Sequence, residues 1–110
     1  MDKIKAVTKR PGGRPISTWI TPTLENLQNY VGGYIEAVTI PGPLGLVVIC
    51  NEEGRLLGMP HNCEIDGIEF VGDIILCGVK GEDFGDIPCS YADLKALWPG
   101  LFVQTKGAQE

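Results

Sequence analysis

Histidine is almost missing from this chain: His61 is the single one in 110 residues. That scarcity excludes metal centres and proton relays built from several imidazoles. No apolar run approaches the roughly 18 residues of a membrane-spanning helix. The N-terminal Met1-Asp2-Lys3-Ile4-Lys5 carries no hydrophobic core like that of a secretory leader. A soluble, cytoplasmic protein is therefore expected. No Cys-x-x-Cys pair occurs among Cys50, Cys63, Cys77 and Cys89, so structural zinc is disfavoured and reduced thiols are expected rather than disulfides. Positive charge is also sparse outside the N-terminus: of nine basic residues, Lys3, Lys5, Lys9, Arg10 and Arg14 precede position 15, and the formal net charge is −5. An acidic body is a poor partner for duplex nucleic acid, whose backbone must be neutralised by a basic surface. The basic start could still hold one small phosphate-bearing ligand.

What is abundant is punctuation. Fifteen glycines and eight prolines break a chain that is 44% hydrophobic and 21% charged, the pattern of short strands and turns in a globular protein rather than of a helix bundle. Residues 1–110 read as one domain, large enough to bury roughly two-thirds of its unfolded surface. The ordered core is expected over about 4–103, with a frayed tail beyond.

The organising stretch is Val47 to Asn62. Val47-Val48-Ile49-Cys50 reads as a strand buried on both faces, Asn51-Glu52-Glu53-Gly54 as a turn, and Arg55-Leu56-Leu57 as the returning partner strand. Before it, Ile4–Thr8 and Pro15–Ile20 form a hairpin across Lys9–Arg14, with lysines guarding an edge strand. Thr21-Pro22 supplies an N-cap and a first-turn proline for a helix whose Leu24, Leu27, Tyr30 and Val31 share a face, and Gly32-Gly33 ends it. Tyr34–Ile40 is a strand stopped by Pro41-Gly42-Pro43. After His61 the chain reads as polar turns with Ile65, Ile68 and Phe70 as isolated anchors, then a buried strand over Val71–Val79 and an acidic loop over Gly81–Asp86. Ser90 and Asp93 resemble a capping box opening a helix from Tyr91 to Trp98.

Val31–Glu36, Ile49–Asn62, Gly72–Gly78 and Glu82-Asp83-Phe84 together resemble the blocks of the domain of unknown function 3846, over roughly residues 4 to 98. The resemblance implies a small protein of phages, prophages or other mobile elements that acts on its host. It implies no activity and no residue role.

Four chemistries remain to be weighed on the residues. His61 and Cys63 with Pro88-Cys89 follow the order of zinc-deaminase ligands, but the required glutamate and second cysteine are missing, with Cys63 and Ala92 in those places; no metal site is expected. A Cys63 or Cys89 nucleophile with His61 as base lacks an orienting group and an oxyanion donor, so no catalytic residue is assigned. Lys9–Arg14 could offer guanidinium forks and bare glycine amides to a phosphate, without Walker spacing. A mixed polar surface of Tyr34, Asn51, Glu53, Arg55, Met59, His61 and Asn62 suits recognition, although asparagines and Met59 also serve as turn and core residues.

The expected fold is α+β: about five strands in a mainly antiparallel sheet, two short helices on one face, and a partly apolar opposite face suited to homo-oligomer formation. The expected function is non-catalytic modulation of host defence by binding, leaning to sequestration of a small nucleotide-like signal. The candidate ligand-binding residues are Arg10, Arg14, Tyr34, Asn51, Arg55, Met59, His61 and Asn62, with no cofactor and no membrane partner. The alternatives are an acidic decoy for a host defence or transcription protein, and a small enzyme.

Overall fold

The computed structural model describes residues 2–103. The expected C-terminal fraying lies outside them. Eight strands and two helices follow in chain order: β1 Ile4–Lys9, β2 Ile16–Ile20, α1 Leu24–Val31, β3 Ile35–Thr39, β4 Val47–Asn51, β5 His61–Ile65, β6 Ile68–Val71, β7 Ile74–Lys80, β8 Asp83–Gly85 and α2 Tyr91–Leu97, with a 3₁₀ turn over Pro99–Phe102. The main sheet runs β2-β1-β7-β4-β3, all antiparallel, and β8 pairs with β7. The fold is α+β, as expected.

Every residue of β4 is buried because both faces of the sheet are covered. Alternation sends Val47 and Ile49 to one side and Val48 and Cys50 to the other. On the first side they meet Ile4, Ala6, Ile75 and Cys77 beneath Leu27 and Val31 of α1. On the second they meet Val7, Leu76, Ile65 and Phe70, with Leu94 of α2 and Leu101 of the 3₁₀ turn. The two helices thus lie on opposite faces, which corrects the one-face expectation: each apolar stripe needs its own sheet surface. It also removes the bare face proposed for self-association.

Three local expectations change for identifiable reasons. Residues 52–58 form successive turns rather than a returning strand, with Leu57 N–H donating to Glu53 O at 2.9 Å and Met59 N–H to Gly54 O at 3.0 Å. Both sides of β4 are already taken by β3 and β7, so Leu56 and Leu57 stay exposed. The supposed turns after His61 are the β5–β6 hairpin, closed by Asp66 and Gly67 at φ 50° and 82°. That Asp-Gly pair fits the tight turn whose central residues both need positive φ. β1 is an inner strand, flanked by β2 and β7, so Lys3 and Lys5 guard no edge.

The helix caps follow side-chain chemistry. Thr23, not Thr21, caps α1: its Oγ1 accepts from Asn26 N–H at 3.2 Å, while Asn26 Nδ2 reaches back to Thr21 O at 2.9 Å. Gly32 closes the helix at φ 82°. Ser90 caps α2 as expected, with Oγ accepting from Asp93 N–H at 3.0 Å.

Candidate functional site

One eight-residue helix cannot cover a whole sheet face, so apolar surface beside the start of α1 remains within reach of solvent. A groove of about 640 Å³ opens there. Its floor is Ile4, Leu27, Ile35 and Phe84, and Leu24, 58% exposed, forms a lip. Around the rim stand Asp2, Glu82, Asp83 and Asp86 against only Lys3 and Lys80.

The rim is held by backbone. The β7–β8 turn places Asp83 opposite Lys80 and Phe84 opposite Val79. Past β8 the chain is tied to β1: Lys5 N–H donates to Asp86 Oδ1 at 2.8 Å and Ile87 N–H to Lys5 O at 2.8 Å. Gly78 permits this approach, because a Cβ there would collide with Asp86 O. Chemically, the groove can seat an apolar side chain on its floor and attract cations at its rim.

The eight residues expected to form a ligand site do not converge on one cavity. Asn62 is 3% exposed and serves the interior: Nδ2 donates to Lys9 O at 2.9 Å and Gly72 O at 2.7 Å, and Oδ1 accepts from Lys9 Nζ at 2.9 Å. Asn51 is likewise buried, donating to Val31 O at 3.1 Å and accepting from Glu53 N–H at 2.7 Å. Met59 packs on Gly72, whose φ of 73° and missing side chain make room for the thioether. Arg10 extends toward Asp73 at 3.4 Å and lies 5.7 Å over the Tyr30 ring. Arg14 and Tyr34 are exposed, the latter beside a shallow depression with Gln28, Asn51 and Leu57.

Arg55 and His61 do come together, through a residue the sequence did not single out. Glu69 of β6 accepts from Arg55 Nη1 at 3.1 Å, and its Oε2 lies 2.8 Å from His61 Nδ1. Arg55 Nη2 also donates to Glu69 O at 3.0 Å. The His61 hydrogen bond, then the Arg55 charge, hold the Glu69 carboxyl below its usual range. This cluster is solvent-exposed and pins the 52–58 turns to the hairpin, so its charges largely satisfy one another.

Three of the four thiols are interior, and Cys89 is half-buried with its pKa raised by burial and by Asp93. Cys50, Cys63 and Cys77 are buried, and burial pushes them up to about 11, 11 and 12, which makes them poor nucleophiles at neutral pH. Among the described residues no cluster of three histidine, cysteine, aspartate or glutamate side chains is placed to hold a metal. No helix among them is long and apolar enough to cross a membrane.

The groove residues were visible in the sequence only as scattered positions. Glu82, Asp83 and Asp86 stood out as an acidic loop, but nothing joined them to Ile4 or Leu24 until β8 and β1 were placed side by side. A family model described as "Domain of unknown function (DUF3846)" matches residues 4–96. No curated protein and no solved structure matches the chain.

Proposed function

The chain belongs to the DUF3846 family, and from that premise we propose that it is a non-catalytic binding protein whose α1–β8 groove takes a basic polypeptide segment anchored by an apolar side chain. The observation that supports this reading is the pairing of an apolar floor with a rim of four carboxylates and two ammonium groups, in a groove of about 640 Å³. An apolar anchor provides affinity by leaving water, and a charge-complementary rim provides steering and register. In the mobile-element setting implied by the sequence resemblance, the partner would be a host defence or transcription protein in the cytoplasm, and the chain its acidic decoy.

Sequestration of a nucleotide-like signal is the second reading. It is favoured by exposed Arg14 and by Arg10 stacked over Tyr30, a cation and an aromatic ring in one place. Against it, the amides of Asn51 and Asn62 are spent on backbone groups, and Arg55 on Glu69.

One titration separates the two. A short peptide rich in arginine and leucine, added to isotope-labelled protein, is expected to shift the amides of Leu24, Asp83 and Phe84. Leu24→Asp is expected to weaken that binding at least tenfold, equivalent to about 1.4 kcal/mol, while the Arg10→Ala/Arg14→Ala double variant leaves it unchanged. Shifts centred on Arg10 and Arg14 with nucleotides, and none in the groove with the peptide, would instead support sequestration.

A further inference from the structure

The sheet has two edges, and they differ. At β2 the approach is encumbered: Arg14 and Pro15 precede the strand, and the Pro15 carbonyl accepts from Tyr91 O–H at 2.6 Å. At β3 it is open. The strand Ile35-Glu36-Ala37-Val38-Thr39 contains no lysine and no proline, the residues that commonly block edge pairing.

Register identifies which groups point outward. Glu52 N–H donates to Tyr34 O at 2.8 Å and Ile40 N–H to Leu46 O at 2.9 Å, at the two ends of the β3–β4 ladder. Antiparallel pairs alternate between bonded and non-bonded. Residues 34, 36, 38 and 40 therefore face β4, whereas Ile35, Ala37 and Thr39 aim N–H and C=O away from the sheet.

We propose that β3 pairs antiparallel with β3 of a second copy of this chain, about a two-fold axis at Ala37. Ile35 then stands opposite the partner's Thr39, Ala37 opposite its own equivalent, and Glu36 opposite the partner's Val38. This register uses all five residues of each strand. Moving the axis to Glu36 would set two carboxylates face to face, and moving it to Val38 would leave Ile35 opposite the proline that follows β3. Between two copies, the charge pattern and the overlap thus select this one self-complementary register, and the result is a continuous sheet of isologous symmetry. A contact of five residues per strand is small, so the dimer is expected to be weak and concentration-dependent. This inference does not depend on the α1–β8 groove, which lies away from the β3 edge apart from Ile35.

The test combines sedimentation with amide exchange. Analytical ultracentrifugation of the intact protein is expected to show a monomer–dimer equilibrium. Ala37→Lys places two ammonium groups across the axis and is expected to weaken the dimer at least tenfold; since Ala37 is exposed, circular dichroism and the unfolding midpoint should stay unchanged. By NMR, the amides of Ile35, Ala37 and Thr39 are expected to exchange slowly at high concentration and quickly on dilution. A protein that remains monomeric at NMR concentrations would overturn the proposal. So would a dimer that survives Ala37→Lys, or one in which those three amides stay unprotected.

Discussion

Asn62→Ala is expected to destabilise the protein by about 3–5 kcal/mol, more than a typical point substitution and a large part of a small domain's stability. The asparagine is a clip between β1, β5 and the turn before β7. Its removal strips one bond each from the carbonyls of Lys9 and Gly72, and it takes the 2.9 Å partner from Lys9 Nζ. Lys9 is itself 3% exposed, and its remaining acceptors, Asn62 O at 3.3 Å and Arg10 O at 3.5 Å, are long. A buried group left without its partner costs about 1–3 kcal/mol, and a charged one more. Lys9→Met removes the charge together with its need for acceptors and is expected to cost less than Asn62→Ala. In the Asn62→Ala background it should be nearly neutral, giving a coupling of at least about 1.5 kcal/mol in a double-mutant cycle. Urea unfolding followed by tryptophan fluorescence reads all four proteins. A loss below about 1 kcal/mol for Asn62→Ala would mean that the amide is not structural and is free to meet a ligand.

The second large effect is alkaline. Cys50, Cys63 and Cys77 are held near 11, 11 and 12 by burial, against an ordinary value near 9. Between these limits the unfolded chain releases thiol protons that the folded chain retains, so stability is intact below about pH 9 and falls as pH rises toward the folded values. One pKa unit corresponds to about 1.4 kcal/mol, and two units of separation make the loss on the order of 2 kcal/mol per thiol by pH 11. Lys9 acts in the opposite direction. Burial lowers its pKa below 10.5, so its contribution to stability rises with pH between the lowered and the ordinary value. Tyr30 and Cys89, also raised by burial, act in the same direction as the three thiols, and against one ammonium they leave a net fall of several kcal/mol. Unfolding midpoints measured from pH 7 to 11 should be level at first and then decline. Cys77→Ala, although less stable at neutral pH, should decline less steeply; an equal slope in both proteins would contradict the assignment of the alkaline loss to buried thiols.

Periodicity made most of the sheet legible. β1, β2, β3, β4 and β7 follow alternating or fully apolar runs, and the two helices follow i, i+3, i+4 spacing with Ser90 and Gly32 at their ends. Two features escaped, each for a local reason. β5 and β6 read as turns with anchors because Asn62 and Cys63 both face the interior, which breaks alternation, as the register shift between His61 and Cys63 records. β8 is three residues long and read as part of a loop.

The site was less legible than the fold. Asn51 and Asn62 had the composition of recognition residues, yet their side chains satisfy backbone groups that strand ends and turns leave unpaired. Arg55 and His61 meet at Glu69, which lies on a hairpin strand that was not anticipated. The groove unites residues from distant parts of the chain, Ile4 with Phe84 and Leu24 with Asp86, brought together by the pairing of β7 with both β1 and β8 and by the bonds of Lys5 to the chain just past β8.

Native mass spectrometry of the protein purified from the cells in which it acts tests the central reading most directly. A polypeptide partner bound in stoichiometric amount is expected, lost with Leu24→Asp and retained with Arg10→Ala/Arg14→Ala. A nucleotide-sized mass released in stoichiometric amount, lost with the arginine variant and retained with Leu24→Asp, would contradict it.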